Sequence, residues 1–393
     1  MLVAHPSAEL YGSDRVLLES VTGMVRRGWR VVVTVPATGP LVAELTARGA
    51  EVELCPAPVL RKSALRPRAF VRFVLEVARS VPPGCRLIAR TRADLVFVNT
   101  ITIPTWLVLG RLMRRRVACH VHEAEGSAAP LLRRLVSLPL ILAQQIIVNS
   151  DFSLDVLATA VPQLRRRATV VYNGIPGPAS PERAREDLQP PVRLLFVGRL
   201  SPRKGPQVAL AAAELLHRAG RPVRLDLLGA VFPGYEWFED ELRSSVAAAG
   251  LEDSVRFVGF DASVWPHLDD ADIVVVPSVA DEPFGNTAVE ALMAARPLVV
   301  SSTSGLREAS AGYASAQLVQ PDRPDLLAEA VLNIVDEWSH FRAAAWTDAE
   351  VARNRHCTTR YQQEVVRVLS VGDAEAGGAD GARSAYRIQR SPE

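Results

Sequence analysis

Two series of short apolar runs follow one another along the chain, and longer segments with apolar residues at helical spacing separate the runs. The first series reads MLVAH, RVVVTV, EVELC, DLVFVN, VACHVH and QIIVNS. The second series reads VRLLFVG, VRLDLLG, SVRFVGF, DIVVVP, PLVVSS and AQLVQP. Such alternation is typical of βαβ units with a parallel sheet, so the sequence predicts an α/β protein with two Rossmann-like lobes.

Breaks in this pattern set the predicted domain boundaries. Residues 1–172 form the N-terminal domain, and residues 173–191 form a linker whose prolines and glycines break regular structure. Residues 192–345 form the C-terminal domain. Apolar residues at helical spacing predict a C-terminal helix over 346–370. Residues 371–393 are small, polar and rich in glycine, which predicts a disordered tail.

Length and composition narrow the classes of function. The 393 residues exceed the usual size of one hydrophobic core, which agrees with two domains. The 45 basic and 43 acidic residues leave a net charge of only +2, so nucleic acid is not an expected partner. Four cysteines without paired spacing predict neither a disulfide framework nor a zinc site, and they fit a reducing cytoplasm.

Neither a signal peptide nor a membrane span is expected. The first residues lack the basic and apolar regions of a signal peptide. The most apolar stretch, residues 135–148, is shorter than the roughly 20 residues that a spanning helix needs. We expect a buried helix there.

The segment DEPFGNTAVEALMAARP at 281–297 carries the most specific candidate chemistry. It follows a predicted strand and reads as a turn and then a helix, whose first backbone N–H groups, near Gly285 and Asn286, would face an anion such as a diphosphate. Glu282 and Glu290 would flank that anion and accept hydrogen bonds from sugar hydroxyls, one from a ribose and one from a transferred hexose. Taken alone, two such glutamates are more often solvated surface charges.

A second loop, FVGRLSPRKG at 196–205, also follows a predicted strand. It places Arg199 and Lys204 at the carboxyl end of that strand, the edge at which open α/β sheets bind their ligands. Two cations there can neutralise a leaving diphosphate, which is the work that a metal ion does in other transferases. We therefore expect no metal and no cofactor beyond the nucleotide-sugar co-substrate.

Six motifs occur together in an order that resembles the retaining family-four glycosyltransferases. They are ELYGSDR at 9–15, HVHE at 120–123, VYNGI at 171–175, GRLSPRKG at 198–205, FVGF at 257–260 and the segment with Glu282 and Glu290. The resemblance implies the GT-B fold, in which two Rossmann-like domains face a cleft and a C-terminal helix packs back toward the N-terminal domain. It also implies transfer of a sugar from a nucleotide-sugar donor to an acceptor hydroxyl, with retention of configuration.

The resemblance assigns a role to each matching residue. By it, Arg199 and Lys204 bind the donor diphosphate, Glu290 holds the ribose, and Glu282 contacts the transferred sugar. The remaining donor contacts that it implies come from Gly12 and Gly259 and from the segment of Phe284, Gly285, Asn286 and Thr287. Of these, Gly259 faces the base through its backbone. His122, Glu282, Arg199 and Lys204 are the residues implied to take part in catalysis.

The N-terminal motifs predict the acceptor side of the cleft. Gly12 lets the backbone pass close to the donor phosphates, although similar family loops carry two adjacent glycines and this one has Tyr11 before Gly12. His120 and His122 end one strand and share a face. The resemblance selects His122 as the residue near the reaction centre, where it binds the transferred sugar and is not a metal ligand. Four further strand-end residues either line the acceptor cleft or cap turns: Asn99, Thr100, Asn149 and Ser150.

The segment RKSALRPRAFVRFVLEVARS at 61–80 combines basic residues with apolar residues at roughly helical spacing. This pattern suits a peripheral contact with an anionic membrane, which a lipid-linked acceptor would explain. The alternative is a solvated helix with its apolar face on the domain core, and Pro67 is expected to interrupt the segment.

Other functions remain open at this stage. A nucleotide-sugar epimerase of similar two-lobed fold would process the donor without an acceptor, and a homologue without catalysis would keep the binding residues. A dehydrogenase is not expected, because neither lobe has a GxGxxG turn after a strand. The resemblance points to cytoplasmic synthesis of cell-envelope or extracellular polysaccharide or glycolipid, but the sequence names neither the nucleotide nor the sugar, acceptor or linkage.

Overall fold

The computed structural model describes residues 1–60, 67–124, 126, 128–232 and 234–371. Within these residues the chain forms two α/β lobes, each built on one fully parallel sheet. The two predicted lobes are confirmed. Residues 61–66 of the amphipathic segment and residues 372–393 of the predicted tail lie outside the described part.

The N-terminal lobe has a seven-stranded sheet in the order β3-β2-β1-β4-β5-β6-β7. Its strands are β1 (Leu2–Ala4), β2 (Val32–Val35), β3 (Glu51–Leu54), β4 (Leu95–Val98), β5 (Arg116–Val121), β6 (Gln145–Val148) and β7 (Ala168–Val170). Its helices are α1 (Gly12–Arg26), α2 (Pro40–Ala47), α3 (Pro67–Thr91), α4 (Thr105–Leu112), α5 (Pro130–Ser137) and α6 (Asp151–Ala160), with short 3-10 helices at Leu138–Leu142 and Pro162–Arg166. The central strands are buried apolar runs because helices cover both faces of the sheet.

The C-terminal lobe has a six-stranded sheet in the order β10-β9-β8-β11-β12-β13. Its strands are β8 (Val192–Val197), β9 (Val223–Leu228), β10 (Val255–Gly259), β11 (Ile273–Val276), β12 (Leu298–Ser301) and β13 (Ala316–Val319). Its helices are α7 (Pro206–Arg218), α8 (Glu236–Ala248), α9 (Trp265–Asp270), α10 (Asn286–Met293), α11 (Ser304–Ser310), α12 (Pro324–Asp336) and α13 (Trp338–Arg355), and the final helix of the chain is α14 (Thr358–Ser370). A 3-10 turn spans Pro202–Lys204.

The final helix joins the two lobes. α13 packs on α10 of the C-terminal lobe, whereas α14 packs on α1 of the N-terminal lobe. Tyr361 and Val365 of α14 belong to the N-terminal core, and the Tyr361 hydroxyl lies 2.6 Å from Ser20 Oγ. A side chain at Gly23 would overlap Gln362, so this glycine permits the close approach of the two helices. The predicted packing of a C-terminal helix against the N-terminal domain is therefore confirmed.

Four details of the sequence analysis are wrong. The single helix predicted over 346–370 is two helices, because His356 and Cys357 leave the helical conformation between α13 and α14. The apolar stretch 135–148 is the end of α5, a 3-10 helix and β6, since a buried strand is as apolar as a buried helix. Strand β7 went unpredicted, because three partly buried residues carry little pattern. Pro67 begins α3 instead of interrupting it, because the backbone N–H at the first helical position has no partner within the helix, so its absence in proline costs no hydrogen bond.

Candidate active site

Both C-terminal loops singled out in the sequence lie at one edge of the second sheet. Lys204 follows β8 and Glu282 follows β11, and these two strands pair directly, with Ile273 opposite Leu194. From β8 the chain proceeds outward to β9 and β10, and from β11 it proceeds the other way to β12 and β13. The two loops therefore meet at the topological switch point, where open α/β sheets form their binding crevice.

An ion pair joins the two loops. Lys204 Nζ donates to Glu282 Oε2 at 2.9 Å, and Ser278 Oγ donates to Glu282 Oε1 at 3.1 Å. Glu282 is only 8% exposed, and its backbone carbonyl accepts the Gly305 N–H at 3.0 Å. The prediction that Lys204 and Glu282 belong to one site agrees with this contact, and the carboxylate is held in a fixed position.

Glu290 lies one turn into α10, close to the same lysine. Burial raises the pKa of the Glu290 carboxyl, and the positive charges of Arg15 and Lys204 oppose that rise. Arg15 comes from α1 of the other lobe, and its Nη2 donates to the Ala262 carbonyl at 2.7 Å. Arg15 belongs to the motif ELYGSDR but was not predicted to be a site residue, although a basic residue in that motif was the available signal.

The guanidinium of Arg199 lies against two aromatic rings. Its guanidinium carbon lies 3.3 Å from the centre of the Phe232 ring and 5.5 Å from that of Tyr11, and the two rings meet edge to face at 5.1 Å. Burial lowers the pKa of Arg199. Tyr11, which precedes Gly12 in the N-terminal loop, thus covers a predicted diphosphate ligand from the opposite lobe. Neither Tyr11 nor Phe232 was predicted as part of the site.

The start of α10 forms the floor of the cleft between the lobes. Gly285 has a φ of +129°, and a Cβ there would lie 2.6 Å from Leu306 Cδ2, so only glycine fits without displacement. Asn286 Oδ1 accepts a hydrogen bond from Asn173 Nδ2 at 2.8 Å. A Cβ at Gly12 would lie 3.6 Å from Asn286 Nδ2, which places the N-terminal loop directly opposite the helix start.

The other three predicted donor residues take different positions. The Phe284 ring is buried and stacks on Tyr172 at 5.6 Å, so only its backbone remains available to a ligand. Thr287 Oγ1 lies 3.4 Å from the Val197 carbonyl at the end of β8. Gly259 ends β10 at the same sheet edge, and its carbonyl accepts the Gly229 N–H at 2.8 Å.

On the acceptor side, His122 ends a chain of hydrogen bonds. His5 Nε2 lies 2.8 Å from Asp14 Oδ1, His5 Nδ1 lies 3.2 Å from Asn99 Nδ2, and Asn99 Oδ1 lies 3.1 Å from His122 Nε2. A carboxylate can only accept, so His5 donates from Nε2 and accepts at Nδ1 from the Asn99 amide. Asn99 Oδ1 then accepts from His122 Nε2, which leaves His122 Nδ1 as an acceptor.

The carboxylate beside His122 has a structural role. Glu123 accepts from the Thr100 hydroxyl, from the Ile101 N–H at 3.4 Å and from the His122 N–H at 3.1 Å. Burial raises the pKa of Glu123, and these hydrogen bonds oppose the rise. Glu123 therefore ties the end of β5 to the loop after β4, with its acceptor positions already engaged.

The remaining candidates at strand ends cap turns and contact the opposite lobe. Ser150 caps α6 by accepting the Ser153 N–H at 2.9 Å, and its hydroxyl also bonds to the Pro283 carbonyl next to Glu282. Asn149 Oδ1 accepts from the Ser153 hydroxyl at 2.9 Å. The Glu308 carboxylate, from α11 of the C-terminal lobe, accepts the first N–H groups of α6.

Two family models match the chain, one over each lobe. The model described as Glycosyltransferase Family 4 matches residues 11–176, and the model described as Glycosyl transferases group 1 matches residues 181–348. The chain belongs to the family-four glycosyltransferases.

This family-four glycosyltransferase is similar to curated proteins over part of their length. It is 35% identical over 189 residues to Glycogen synthase of Mycobacterium tuberculosis strain H37Rv, a match covering 48% of this chain and 43% of that protein. It is 30% identical over 196 residues to Amylovoran biosynthesis glycosyltransferase AmsK of Erwinia amylovora, covering 47% of each. The matched part of the chain thus spans about half the length of these curated relatives.

Solved structures share the fold over almost the whole chain. The structure of Anabaena HepE in complex with UDP-glucose has a TM-score of 0.77 and 21% identity, and covers 94% of this chain and 99% of that chain. Sucrose-phosphate synthase of Thermosynechococcus elongatus has a TM-score of 0.72 and 18% identity, and covers 95% and 100%. These likenesses confirm the GT-B fold of this family-four glycosyltransferase.

The two histidines at the end of β5 make stability depend on pH. Burial lowers the pKa of His120 to about 3 and that of His122 well below its usual 6.5. No described residue bonds to either ring nitrogen of His120. Because the unfolded chain binds these protons near pH 6.5, the stability that the neutral His120 ring provides is lost as pH falls from 6.5 toward 3, by about 1.4 kcal/mol per pH unit, and the neutral His122 ring contributes in the same direction.

We therefore expect His120→Leu to reduce the pH dependence of the unfolding free energy between pH 6 and pH 4 by about 1.4 kcal/mol per pH unit. Leucine fills a similar volume and carries no proton. Urea denaturation of both proteins across this pH range measures the two slopes. Equal slopes would show that His120 titrates normally in the folded protein.

Proposed function

We propose that this chain transfers a sugar from a nucleotide-sugar donor to an acceptor hydroxyl with retention of the anomeric configuration. The observation that carries the proposal is the convergence of Lys204, Glu282 and Glu290 at the switch point of the second sheet, opposite Gly12 and Arg15 of the first lobe. This arrangement offers cations, carboxylates and a helix N-terminus within one cleft, which suits a diphosphate bearing a sugar at each end.

The donor diphosphate is proposed to bind between Lys204, Arg199 and the first N–H groups of α10. Lys204 is paired with Glu282, so an incoming diphosphate competes for the ammonium and leaves Glu282 free to accept from a sugar hydroxyl. Arg199, between Tyr11 and Phe232, is desolvated before the ligand arrives. Fixed cations in a half-buried cleft stabilise the negative charge that develops as the glycosidic bond breaks.

The two carboxylates are proposed to divide the donor between them, with Glu290 on the ribose and Glu282 on the transferred sugar. His122 is proposed to bind the transferred sugar, because Nε2 donates to Asn99 and Nδ1 is left as an acceptor that a sugar hydroxyl can reach. Retention is supported by the state of Glu123, since a carboxylate that already holds three donors is poorly placed to deprotonate an acceptor for inversion. The leaving phosphate can instead take the acceptor proton on the same face of the sugar.

The biological setting is proposed from the relatives. An amylovoran biosynthesis glycosyltransferase and several D-inositol 3-phosphate glycosyltransferases match parts of the chain. We propose synthesis of cell-envelope or extracellular polysaccharide or glycolipid on a sugar or lipid-linked acceptor, in the cytoplasm at the inner face of the membrane. UDP is the first nucleotide to test, because the Anabaena HepE structures contain it, followed by GDP, dTDP and ADP.

Lys204→Met is expected to weaken binding of the nucleoside diphosphate about ten- to a hundredfold, because it removes a charge-assisted hydrogen bond. Sugar transfer by the variant should slow by about a hundredfold or more, and sugar transfer by the wild type should continue in EDTA. Calorimetric titration and a transfer assay measure both effects. Arg218→Met, which changes an exposed cation on α7, is the matched control. Unchanged affinity in Lys204→Met, or transfer that stops in EDTA, would contradict the proposed charge stabilisation.

Glu290→Gln and Glu282→Gln are expected to separate the ribose and sugar contacts. Glu290→Gln should weaken free nucleoside diphosphate about tenfold. Glu282→Gln should leave its affinity equal or tighter, because it releases Lys204. Both variants should bind the intact nucleotide sugar more weakly than the wild type. Equal losses of free diphosphate affinity in the two variants would overturn this division of roles.

The product of transfer is expected to keep the anomeric configuration of the donor, which proton NMR of the first product reads from its anomeric coupling constant. His122→Ala should lower turnover about a hundredfold, because a group that orients the sugar is lost. Its affinity for nucleoside diphosphate should remain that of the wild type, as in the control His217→Ala on α7. An inverted product would refute the retaining mechanism, and full turnover by His122→Ala would assign the histidine to structure alone.

A further inference from the structure

Exposed apolar side chains are concentrated on one helical layer of the N-terminal lobe. Ten of the nineteen large apolar residues that are exposed in the described chain lie on α3, α4, α5 and the 3-10 helix after α5. These ten are Phe70, Val71, Val74, Leu75, Val108, Leu112, Leu131, Leu135, Leu138 and Ile141. The four elements are neighbours, since α3 packs on α4 and the 3-10 helix packs on both α4 and α5. We call this set the outer apolar surface.

The first half of α3 has no buried residue. Residues 68–79 are all exposed or partly exposed, whereas Ser80, Gly84, Leu87 and Ile88 in the second half are buried. The helix therefore rests on the domain only with its second half. The pattern that the sequence analysis left open between membrane contact and core packing is here an apolar side that the domain core does not cover.

Apolar and basic residues form separate rows on this part of α3. One helical turn separates Phe70 from Val74, and one turn also separates Val71 from Leu75. All four side chains therefore lie on one side of the helix. Arg68, Arg72 and Arg79 are spaced by four and seven residues and form a second row beside it. A helix that exposes an apolar stripe next to a basic stripe is typical of segments that lie in the interface of a bilayer.

Helix α5 and the start of the 3-10 helix after it repeat the arrangement. Leu131, Leu135 and Leu138 are separated by one and two turns, and each is exposed, Leu131 at 70%. Arg134 lies within the same stripe and is exposed. An ordinary surface helix turns such a leucine row toward the core, so its outward direction calls for another apolar partner.

The unpaired charges on this layer are all positive. Five arginines form no ion pair with any described residue: Arg68, Arg79, Arg86, Arg111 and Arg134. The sole acidic residue on α3, α4, α5 and the 3-10 helix is Glu76, which is paired with Arg72. A second copy of this chain placed on the surface by a twofold axis would bring these arginines together, whereas an anionic surface would neutralise them.

The chain segments that precede α3 and α5 include residues at the acceptor side of the cleft. Helix α5 follows the loop that begins at His122 and Glu123. Ahead of α3, the Leu60 N–H bonds to the Thr102 carbonyl at 2.7 Å, and the Thr102 hydroxyl bonds to Thr100 at 2.8 Å. In the described residues, the chain thus passes close to Glu123 shortly before each of the two amphipathic helices.

We propose that the outer apolar surface docks on an anionic lipid bilayer, with the apolar rows of α3 and α5 in the interface and the arginines at the lipid headgroups. No helix within the described ranges is both long and apolar enough to cross a membrane, which fits a helix lying in the plane of the interface. Docking would bring a lipid-linked acceptor to the mouth of the cleft. That last consequence rests on the proposed function, whereas the docking itself does not.

Flotation of the full-length protein with vesicles tests the proposal. The protein should float with phosphatidylcholine vesicles that contain phosphatidylglycerol, should bind pure phosphatidylcholine much more weakly, and should detach as salt is raised. Arg68→Gln with Arg79→Gln should weaken binding about twenty-five-fold, at about fivefold for each arginine. Phe70→Ser with Leu75→Ser, and separately Leu131→Ser with Leu135→Ser, should weaken it about ten- to a hundredfold.

Matched controls come from exposed residues elsewhere. Arg27→Gln with Arg360→Gln removes two exposed arginines from the α1 and α14 side of the lobe, and Leu318→Ser removes an exposed leucine from the other lobe. These controls should bind vesicles like the wild type. Failure to float with anionic vesicles, or equal losses in variants and controls, would overturn the proposal.

Two further measurements separate this proposal from its alternatives. A dimer in analytical ultracentrifugation that dissociates in Phe70→Ser with Leu75→Ser, without vesicle binding by the wild type, would assign the surface to self-association and overturn it. Titration of the surface variants with UDP should match the wild type. A variant that loses vesicle binding but still binds UDP has lost the docking surface alone. Vesicle binding by a wild type that transfers no sugar would leave docking in place and refute the proposed function.

Discussion

The parallel arrangement of both sheets is the constraint on which the rest of the structure depends. A parallel strand must be followed by a crossover, so every loop that leaves a carboxyl end emerges at the same edge. Because β8 and β11 are neighbours at which the chain changes direction, Lys204 and Glu282 meet although 78 residues separate them. The first sheet obeys the same rule, which brings residues after β1, β4 and β5 into one hydrogen-bond chain from Asp14 to His122.

The contacts between the lobes touch the candidate site directly. The Pro283 carbonyl, one residue beyond Glu282, accepts a hydrogen bond from the Ser150 hydroxyl at the start of α6. Arg15 bonds to the C-terminal lobe at the Ala262 carbonyl and contributes its charge to the environment of Glu290. Opening or closing of the cleft would therefore change the surroundings of both carboxylates at once. α14 provides a further connection between the lobes, since it belongs to the core of the first lobe and follows α13 of the second.

The two sides of the cleft differ in the charge of the side chains that line them. On the C-terminal side Lys204 and Glu282 form an ion pair, and aromatic rings cover the guanidinium of Arg199. On the N-terminal side burial keeps His120 and His122 neutral at physiological pH. A neutral imidazole with a fixed tautomer can orient a hydroxyl without adding charge beside a sugar, while the opposite side retains the cations that an anionic donor requires.

The sequence alone was sufficient for features that depend on local pattern. Alternating apolar runs identify twelve of the thirteen strands, because a buried parallel strand is apolar at every position. Lys204, Glu282 and Glu290 could be placed at one sheet edge, because loops after parallel strands share that edge. Strand β7 was not predicted, because its three residues carry no such pattern.

Tertiary structure alone decided the contacts between distant segments and the side of each helix that remains uncovered. Nothing local links Tyr11 with Phe232 around Arg199, or joins His5, Asp14 and Asn99 to His122, since these residues come together only after both lobes have packed. The spacing of Leu131, Leu135 and Leu138 shows that they share one side of a helix, but not whether that side faces the core or the solvent. Periodicity fixes the relative direction of side chains within one element, whereas exposure depends on which other elements cover it.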